Sequence, residues 1–232
     1  MSVASRAVGV DAYAGGWVAV AVAYGRRTVR VDRVWAGGRL DVLLAGEPAS
    51  TVVGLDLPLG GVAGEWRVAD LAAKRLLGRQ HSKVFSVPPR PVWELPYAEA
   101  NARCRELTGA GLSVQAYRLL PKMLEAEVYR DTGPHDLHEI HPELVFVGLA
   151  GGLVPYGKKT WNGQMARRAL LEAVGLTLPP DLPEAGDVPP NDVLDATAVA
   201  WGAVRIARGQ ARHVPDPAVQ VDHRGRPIVI WY

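Results

Sequence analysis

Ala7-Val8-Gly9-Val10-Asp11, the break Gly15-Gly16, Trp17-Val18-Ala19-Val20-Ala21-Val22-Ala23-Tyr24, the turn Gly25-Arg26-Arg27 and Thr28-Val29-Arg30-Val31-Asp32-Arg33-Val34-Trp35 together set the architecture of this chain. Three apolar runs divided by glycine-bearing breaks predict three strands. Gly25-Arg26-Arg27 has hairpin length and turn composition, so the second and third strands should be antiparallel neighbours. Leu40 to Ala45, after Gly37-Gly38, reads as a short helix. Thr51 to Leu57, closed by Pro58 and Gly60, reads as a strand buried between helical layers.

Working outward, Arg67 to Leu77 and Pro96 to Leu107 carry helical spacing and stop at Gly78 and Gly109. The proline-rich Ser82 to Pro91 between them should be irregular. Ser113 to Arg130 is a third helix that Pro121 should kink or divide. Leu137 to His141 reads as a short strand stopped by Pro142, Lys159 to Val174 as a helix, and Leu178 to Pro190 as a surface loop. A last helix should run from about Asn191 to Arg208, with Ile228 to Trp231 as an edge strand. Strand, strand, strand, helix, strand, helical insertion, strand and helices spell an α/β fold. A three-stranded antiparallel meander leading into parallel strands is the ribonuclease H-like mixed sheet. The expected organisation is one such domain over 1–232, with a mainly helical insertion at about 62–134.

Composition narrows the class. The chain has 232 residues, 48% hydrophobic and 22% charged, which excludes a disordered, collagen-like or coiled-coil protein. A net charge of +2 does not announce a nucleic-acid binder. The single cysteine, Cys104, cannot form an internal disulfide and suggests a reducing compartment. The longest apolar run, Trp17 to Tyr24, is too short for a membrane span, which needs about 20 residues. Asp11 interrupts the place where an export signal would be apolar. The expectation is a cytoplasmic protein with no membrane partner.

Four acids stand out by placement. Asp11 ends the first strand and Asp56 the fourth, while Asp192 and Asp195 open the last helix three residues apart, on one face. Acids at the ends of buried strands are costly unless paired or metal-bound. If the last helix packs beside strands one and four, all four carboxylates converge. Like charges so close push one another's pKa values up, and hard oxygen ligands suit Mg²⁺ or Mn²⁺. Each acid also has a plainer reading. Asp56 near Pro58 could form an Asx-type turn, and Asp192 suits a helix start through the macrodipole, with Asn191 a ready N-cap. Glu139, in His138-Glu139-Ile140-His141-Pro142-Glu143, is a fifth candidate. His135, His138 and His141 do not make a zinc site, because a strand splits His138 from His141 and no cysteine lies near.

Gly9-Val10-Asp11 with Gly15-Gly16-Trp17, Asp56-Leu57-Pro58-Leu59-Gly60, Arg67 with Asp70, Ser82-Lys83-Val84-Phe85, Pro88-Pro89-Arg90, Glu139-Ile140-His141-Pro142-Glu143 and Asp192-Val193-Leu194-Asp195-Ala196 form an ordered series of blocks. The series resembles the domain-of-unknown-function 429 family, described as predicted nucleases with a ribonuclease H-like fold. The resemblance spans about residues 7 to 231 and implies metal-binding acids at Asp11, Asp56 and Asp195, with Asp192 and Glu139 as further candidates. The Asp192-x-x-Asp195-Ala196 helix start is also similar to that of Holliday-junction resolvases. Lys83 and Asn191 depart from the family's pattern.

From Trp66 to Arg90 six basic residues (Arg67, Lys74, Arg75, Arg79, Lys83 and Arg90) face one acid, Asp70. A positive face near an acid-metal centre is what a phosphodiester requires; a solvated helix face is the plainer reading. Arg67, Arg79, Ser82, Lys83, Lys122 and Lys158-Lys159 are the candidate phosphate contacts, and Trp66, Phe85 and Trp93 could stack bases or fill a core. Gly152 to Lys158 nearly spells a phosphate loop, but Lys159 stands where Ser or Thr belongs. The expectation is a Mg²⁺- or Mn²⁺-dependent nuclease. In it two ions would serve entering and leaving oxygens, with Asp11 bridging them, Asp56 and Asp195 holding one each, and Asp192 or Glu139 completing or orienting the shell. Two alternatives remain open: a non-catalytic nucleic-acid-binding module, and an actin-like phosphotransferase using Asp11 to Gly16. The sequence leaves DNA against RNA, and a homodimer, undecided.

Overall fold

In the computed structural model, which describes residues 5–232, β1 (Ser5–Tyr13), β2 (Gly16–Tyr24) and β3 (Val29–Gly37) form an antiparallel meander. β4 (Val52–Asp56) and β5 (Leu137–Glu139) extend it, β4 parallel to β1 and β5 parallel to β4. The order β3-β2-β1-β4-β5 is the ribonuclease H-like mixed sheet expected from the sequence. Gly16 makes the first reversal possible. Its φ of +140° suits glycine, and a Cβ there would sit 2.3 Å from the Gly37 carbonyl oxygen. The second reversal is closed by Gly25 N–H donating to the Thr28 carbonyl at 2.9 Å.

Helices cover both faces of the sheet, which is why β1 and β2 are apolar without alternation. On one side lies α1 (Leu40–Leu44), and the Trp35 indole N–H donates to the Leu43 carbonyl at 3.0 Å. On the other side lie α5 (Pro142–Ala150), α6 (Trp161–Ala173) and α7 (Pro190–Ala207). There Val18, Val20 and Val22 pack with Ala196, Val199, Ala200 and Ala203 in one core. No helix among the described residues is long and apolar enough to cross a membrane.

The described chain divides into two compact units. The first holds the sheet and comprises residues up to Leu57, Thr132–Arg212 and Trp231–Tyr232; the second comprises Pro58–Asp131 and His213–Ile230. The second contains α2 (Val68–Leu77), α3 (Tyr97–Thr108) and all but the last residue of α4 (Val114–Thr132). Inside it Asp222 accepts from Arg226 Nε at 2.7 Å and from Arg130 Nη1 at 3.4 Å, fastening 213–230 to α4.

Four expectations need correction. Pro121 does not divide α4, because Ala116, Leu120, Met123, Ala126 and Tyr129 bury one continuous face on both sides of it. Pro142 does not merely stop a strand. It is the first residue of α5, where its missing N–H costs nothing, and His141 Nδ1 accepts the Glu143 N–H at 3.2 Å. Asn191 is not an N-cap: Pro190 opens α7, and Asn191 already lies inside it, its amide donating to Asp192. The Leu178 to Pro190 loop is not purely a surface feature, since Leu178, Ala185 and Val188 join the core.

Candidate metal centre

Gly9 and Gly54 lie side by side in parallel register, and two residues further on Asp11 and Asp56 do the same. A Cβ on Gly9 would fall 2.1 Å from the Ala200 nitrogen and 2.2 Å from the Ala196 oxygen. On Gly54 it would fall 2.8 Å from Val199 Cγ1. These bare positions let the α7 backbone rest directly on β1 and β4. The first turns of α7 then bring Asp192 and Asp195 to Asp11. One carboxylate oxygen from each of these three residues lies within 4.8 Å of the other two.

The environment disfavours charge on every member. Burial, then Asp56, then Asp195 raise the Asp11 pKa well above the ordinary carboxylate range. Burial and Asp195 do the same to Asp56, with Glu139 and Glu143 adding to it. Asp195 is pushed up to about 6 by burial, against the opposing pull of Lys158. Asp192, half-buried, is raised by burial. Lys158 is the counter-charge: its Nζ donates to Asp195 Oδ2, and the nearby carboxylates, Asp195 foremost, raise its pKa against the opposing effect of its own burial.

Lys158 does not satisfy the cluster. Asp195 Oδ1 is buried and accepts no hydrogen bond among the described residues, a state that costs free energy unless a cation or donor answers it. Three converging carboxylates, with a buried oxygen of Asp195 unpartnered among the described residues, fit a divalent cation of the Mg²⁺ or Mn²⁺ class.

The other expected site residues stand at differing places. Asp56 is coupled electrostatically to Asp11 yet stands outside the three-carboxylate group. Glu139 is buried and level with Leu55, so the alternation of the strand places it on the face opposite Asp11 and Asp56. The histidines have separate roles: His135 contacts the Glu47 and Pro48 carbonyls, His138 lies 3.5 Å from Asp136, and His141 caps α5.

In the second unit Arg67 is 0% exposed. It pairs with buried Asp70 at 3.3 Å and donates to the Gly60 carbonyl at 3.3 Å, so it belongs to the fold of that unit rather than to a phosphate-gripping surface. Lys74 donates to Ser86 Oγ, Lys83 to Gln80 Oε1, and Arg90 to Glu127 and Glu94. Of the six basic residues only Arg75 and Arg79 are exposed, as is Ser82; Lys122 is half-buried with Glu125 3.8 Å away. Trp93 is core, its indole N–H donating to the Pro88 carbonyl at 2.9 Å, while Trp66 and Phe85 are half-buried. Cys104 is buried.

Sequence reasoning missed the support behind the centre. Arg167, fully buried, donates to Glu143 Oε1 at 2.7 Å and Oε2 at 2.9 Å, and to the carbonyls of Tyr156 at 3.1 Å and Gly163 at 3.0 Å. It thereby ties α5, α6 and the loop carrying Lys158 together. The signal was available in part: four converging carboxylates oblige the chain to supply a cation, and Lys158 follows a glycine in a loop rich in turn residues.

A structure of RuvC from Thermus thermophilus is 15% identical to this chain, covering 88% of this chain and 97% of its own, with a TM-score of 0.38. No curated protein matches. A model of the family described as "Protein of unknown function (DUF429)" matches residues 9–220, and the chain belongs to that family.

Proposed function

We propose that this protein is a divalent-metal-dependent nuclease that hydrolyses phosphodiester bonds of nucleic acid at the carboxylate centre of β1 and α7. The observation that carries the reading is the buried Asp195 Oδ1, which accepts no hydrogen bond among the described residues, within a group of three carboxylates from β1 and α7. Asp11, Asp192 and Asp195 would hold the ion, and Asp56 beside Asp11 adds negative charge that favours a cation over a bound anion. Bound there, Mg²⁺ or Mn²⁺ would supply Lewis acidity at a phosphoryl oxygen and would lower the pKa of a water, so that on losing a proton it becomes the nucleophile at phosphorus. Lys158 stands next to the group with its proton firmly held and can donate to a non-bridging phosphate oxygen. Lys159, exposed beside it, supplies charge to a flanking phosphate. The Glu143–Arg167 pair keeps both lysines in place through the Tyr156 carbonyl. In the second unit Arg79, Ser82, Lys83 and Lys122 remain proposed phosphate contacts, and Glu139 a proposed influence on Asp56 through charge alone.

The test is cleavage of labelled DNA and RNA with Mn²⁺ or Mg²⁺. We expect metal-dependent cleavage, abolished by chelator and reduced at least about 100-fold in Asp11→Asn with its fold retained. Equal rates in Asp11→Asn and wild type would overturn the assignment. The Lys158–Asp195 ion pair favours one second reading, a metal-free binding module whose carboxylates are neutralised by lysine. That reading expects salt-sensitive nucleic-acid binding with no calorimetric signal from Mn²⁺.

A further inference from the structure

The first unit exposes two aromatic rings on the segment whose Lys158 reaches Asp195. Trp161 is 73% exposed and Tyr156 is 49% exposed, and among the described residues neither ring has a hydrogen-bond or stacking partner. Both sit on pinned backbone. The Tyr156 carbonyl accepts from buried Arg167 at 3.1 Å. The Gly157 carbonyl accepts from the Thr160 N–H at 3.0 Å and from Thr160 Oγ1 at 2.9 Å. Thr160 Oγ1 in turn accepts the Gly163 N–H at 3.1 Å, capping α6. The packing is close enough that a Cβ on Gly163 would fall 1.9 Å from the Gly157 oxygen.

Between the two aromatic residues in sequence come Lys158, which reaches Asp195, and exposed Lys159. No acid occurs from Leu144 to Leu171, while Lys158, Lys159, Arg167 and Arg168 do. Met165, one turn after Trp161, extends the same face of α6 and is also exposed. Two exposed π faces on a pinned stretch of backbone, with two lysines between them in sequence, match a ligand that alternates flat apolar rings with phosphates. Inside a duplex the faces of each base are covered by its neighbours, so a fixed protein ring can stack only on a base that has left the stack.

We propose that Tyr156 and Trp161 form a stacking platform for unstacked nucleobases, which makes single-stranded or locally unpaired nucleic acid the ligand of the carboxylate centre. This deepens the nuclease reading and rests on it for the identity of the site. Every base has a π face, so the platform is tolerant of sequence.

The experiment is fluorescence anisotropy in chelator, where no cleavage occurs, with a short mixed-sequence single strand and its duplex as probes. Wild type should prefer the single strand. Trp161→Ala should weaken single-strand binding on the order of 10-fold and Tyr156→Ala by a similar or smaller factor, with duplex binding unchanged. Trp161→Phe should retain most of the affinity. Trp161 is solvent-exposed, so the melting temperature of its variants should match wild type. Equal losses on both probes, an unchanged affinity in Trp161→Ala, or no binding by wild type would each overturn the platform. So would self-association of wild type that Trp161→Ala abolishes without any effect on nucleic acid. Cleavage that depends on Asp11, together with unaffected binding by Trp161→Ala, removes the platform and leaves the nuclease. The converse pair of results removes the nuclease and leaves the platform.

Discussion

Replacing Asp11 by asparagine removes a charge from a buried group of carboxylates while keeping its shape. Its pKa and those of Asp56 and Asp195 are all raised on folding. An acid with a raised folded pKa holds its proton more tightly when folded. Its stabilising contribution is therefore complete below the unfolded value near about pH 4 and is lost as pH climbs through the folded value. For Asp195 that loss runs from the unfolded value up to about 6, above which it is complete. Asp222 and Asp32 shift the opposite way, so the clean reading is a difference between variant and wild type. In chelator, Asp11→Asn should melt about 2–5 °C above wild type near pH 8, with the gain shrinking towards pH 4. The same variant should lose the thermal stabilisation that Mn²⁺ gives wild type. A variant less stable than wild type at both pH values would mean that Asp11 is a structural acid. Lys158→Met should act in the other direction. Without its ammonium the Asp195 carboxylate stands uncompensated, so the metal-free melting temperature should fall by several degrees. Mn²⁺, no longer competing with an internal cation, should bind more tightly by calorimetry.

At the scale of elements, the centre depends on how closely α7 approaches β1. Gly9→Ala must push Cβ against the backbone of Ala196 and Ala200, neither of which can rotate away. The expected cost is about 3 kcal/mol or more, read as a lower denaturation midpoint at unchanged slope. Because α7 carries Asp192 and Asp195, the stabilisation by Mn²⁺ should disappear too. Gly148→Ala is the control: a Cβ there meets nothing within 4 Å and lies on an exposed helical face. It should be neutral or stabilising by up to about 1 kcal/mol, with the Mn²⁺ response intact. A second element-scale prediction concerns the buried Glu143–Arg167 pair. Arg167→Met should cost about 3–5 kcal/mol by stranding Glu143, and the double variant with Glu143→Leu should recover much of that loss in a double-mutant cycle. Additive losses would show that Arg167 acts chiefly through the Tyr156 and Gly163 carbonyls.

Across the whole molecule, the strands and the acids at their ends were legible because their signals are local. Val8 and Val10 before Asp11, and Gly54-Leu55 before Asp56, read as buried strand ends, and the hairpin turns bring their own glycines. What pairs with what across long separations was not legible. Arg67 looks like any surface arginine until Asp70 and the Gly60 carbonyl enclose it, and Lys158 like any phosphate contact until α7 brings Asp195 to it. The partition into units was equally hidden, since the proline-rich 213–230 has no periodicity to tie it to α4. That partition yields the last prediction. Asp11, Asp56, Asp192, Asp195 and Lys158 all belong to the first unit, and none of the proposed metal ligands to the second. A ligand that binds only the folded state suppresses those openings that destroy its site. In hydrogen exchange read by mass spectrometry, Mg²⁺ should slow amides of β1, β4, the loop 151–160 and the first turns of α7. Amides of 58–131 should exchange at an unchanged rate wherever they open locally. Protection confined to 58–131 would place the cation in the second unit, and the carboxylates of β1 and α7 would then be a charged core held by Lys158 alone.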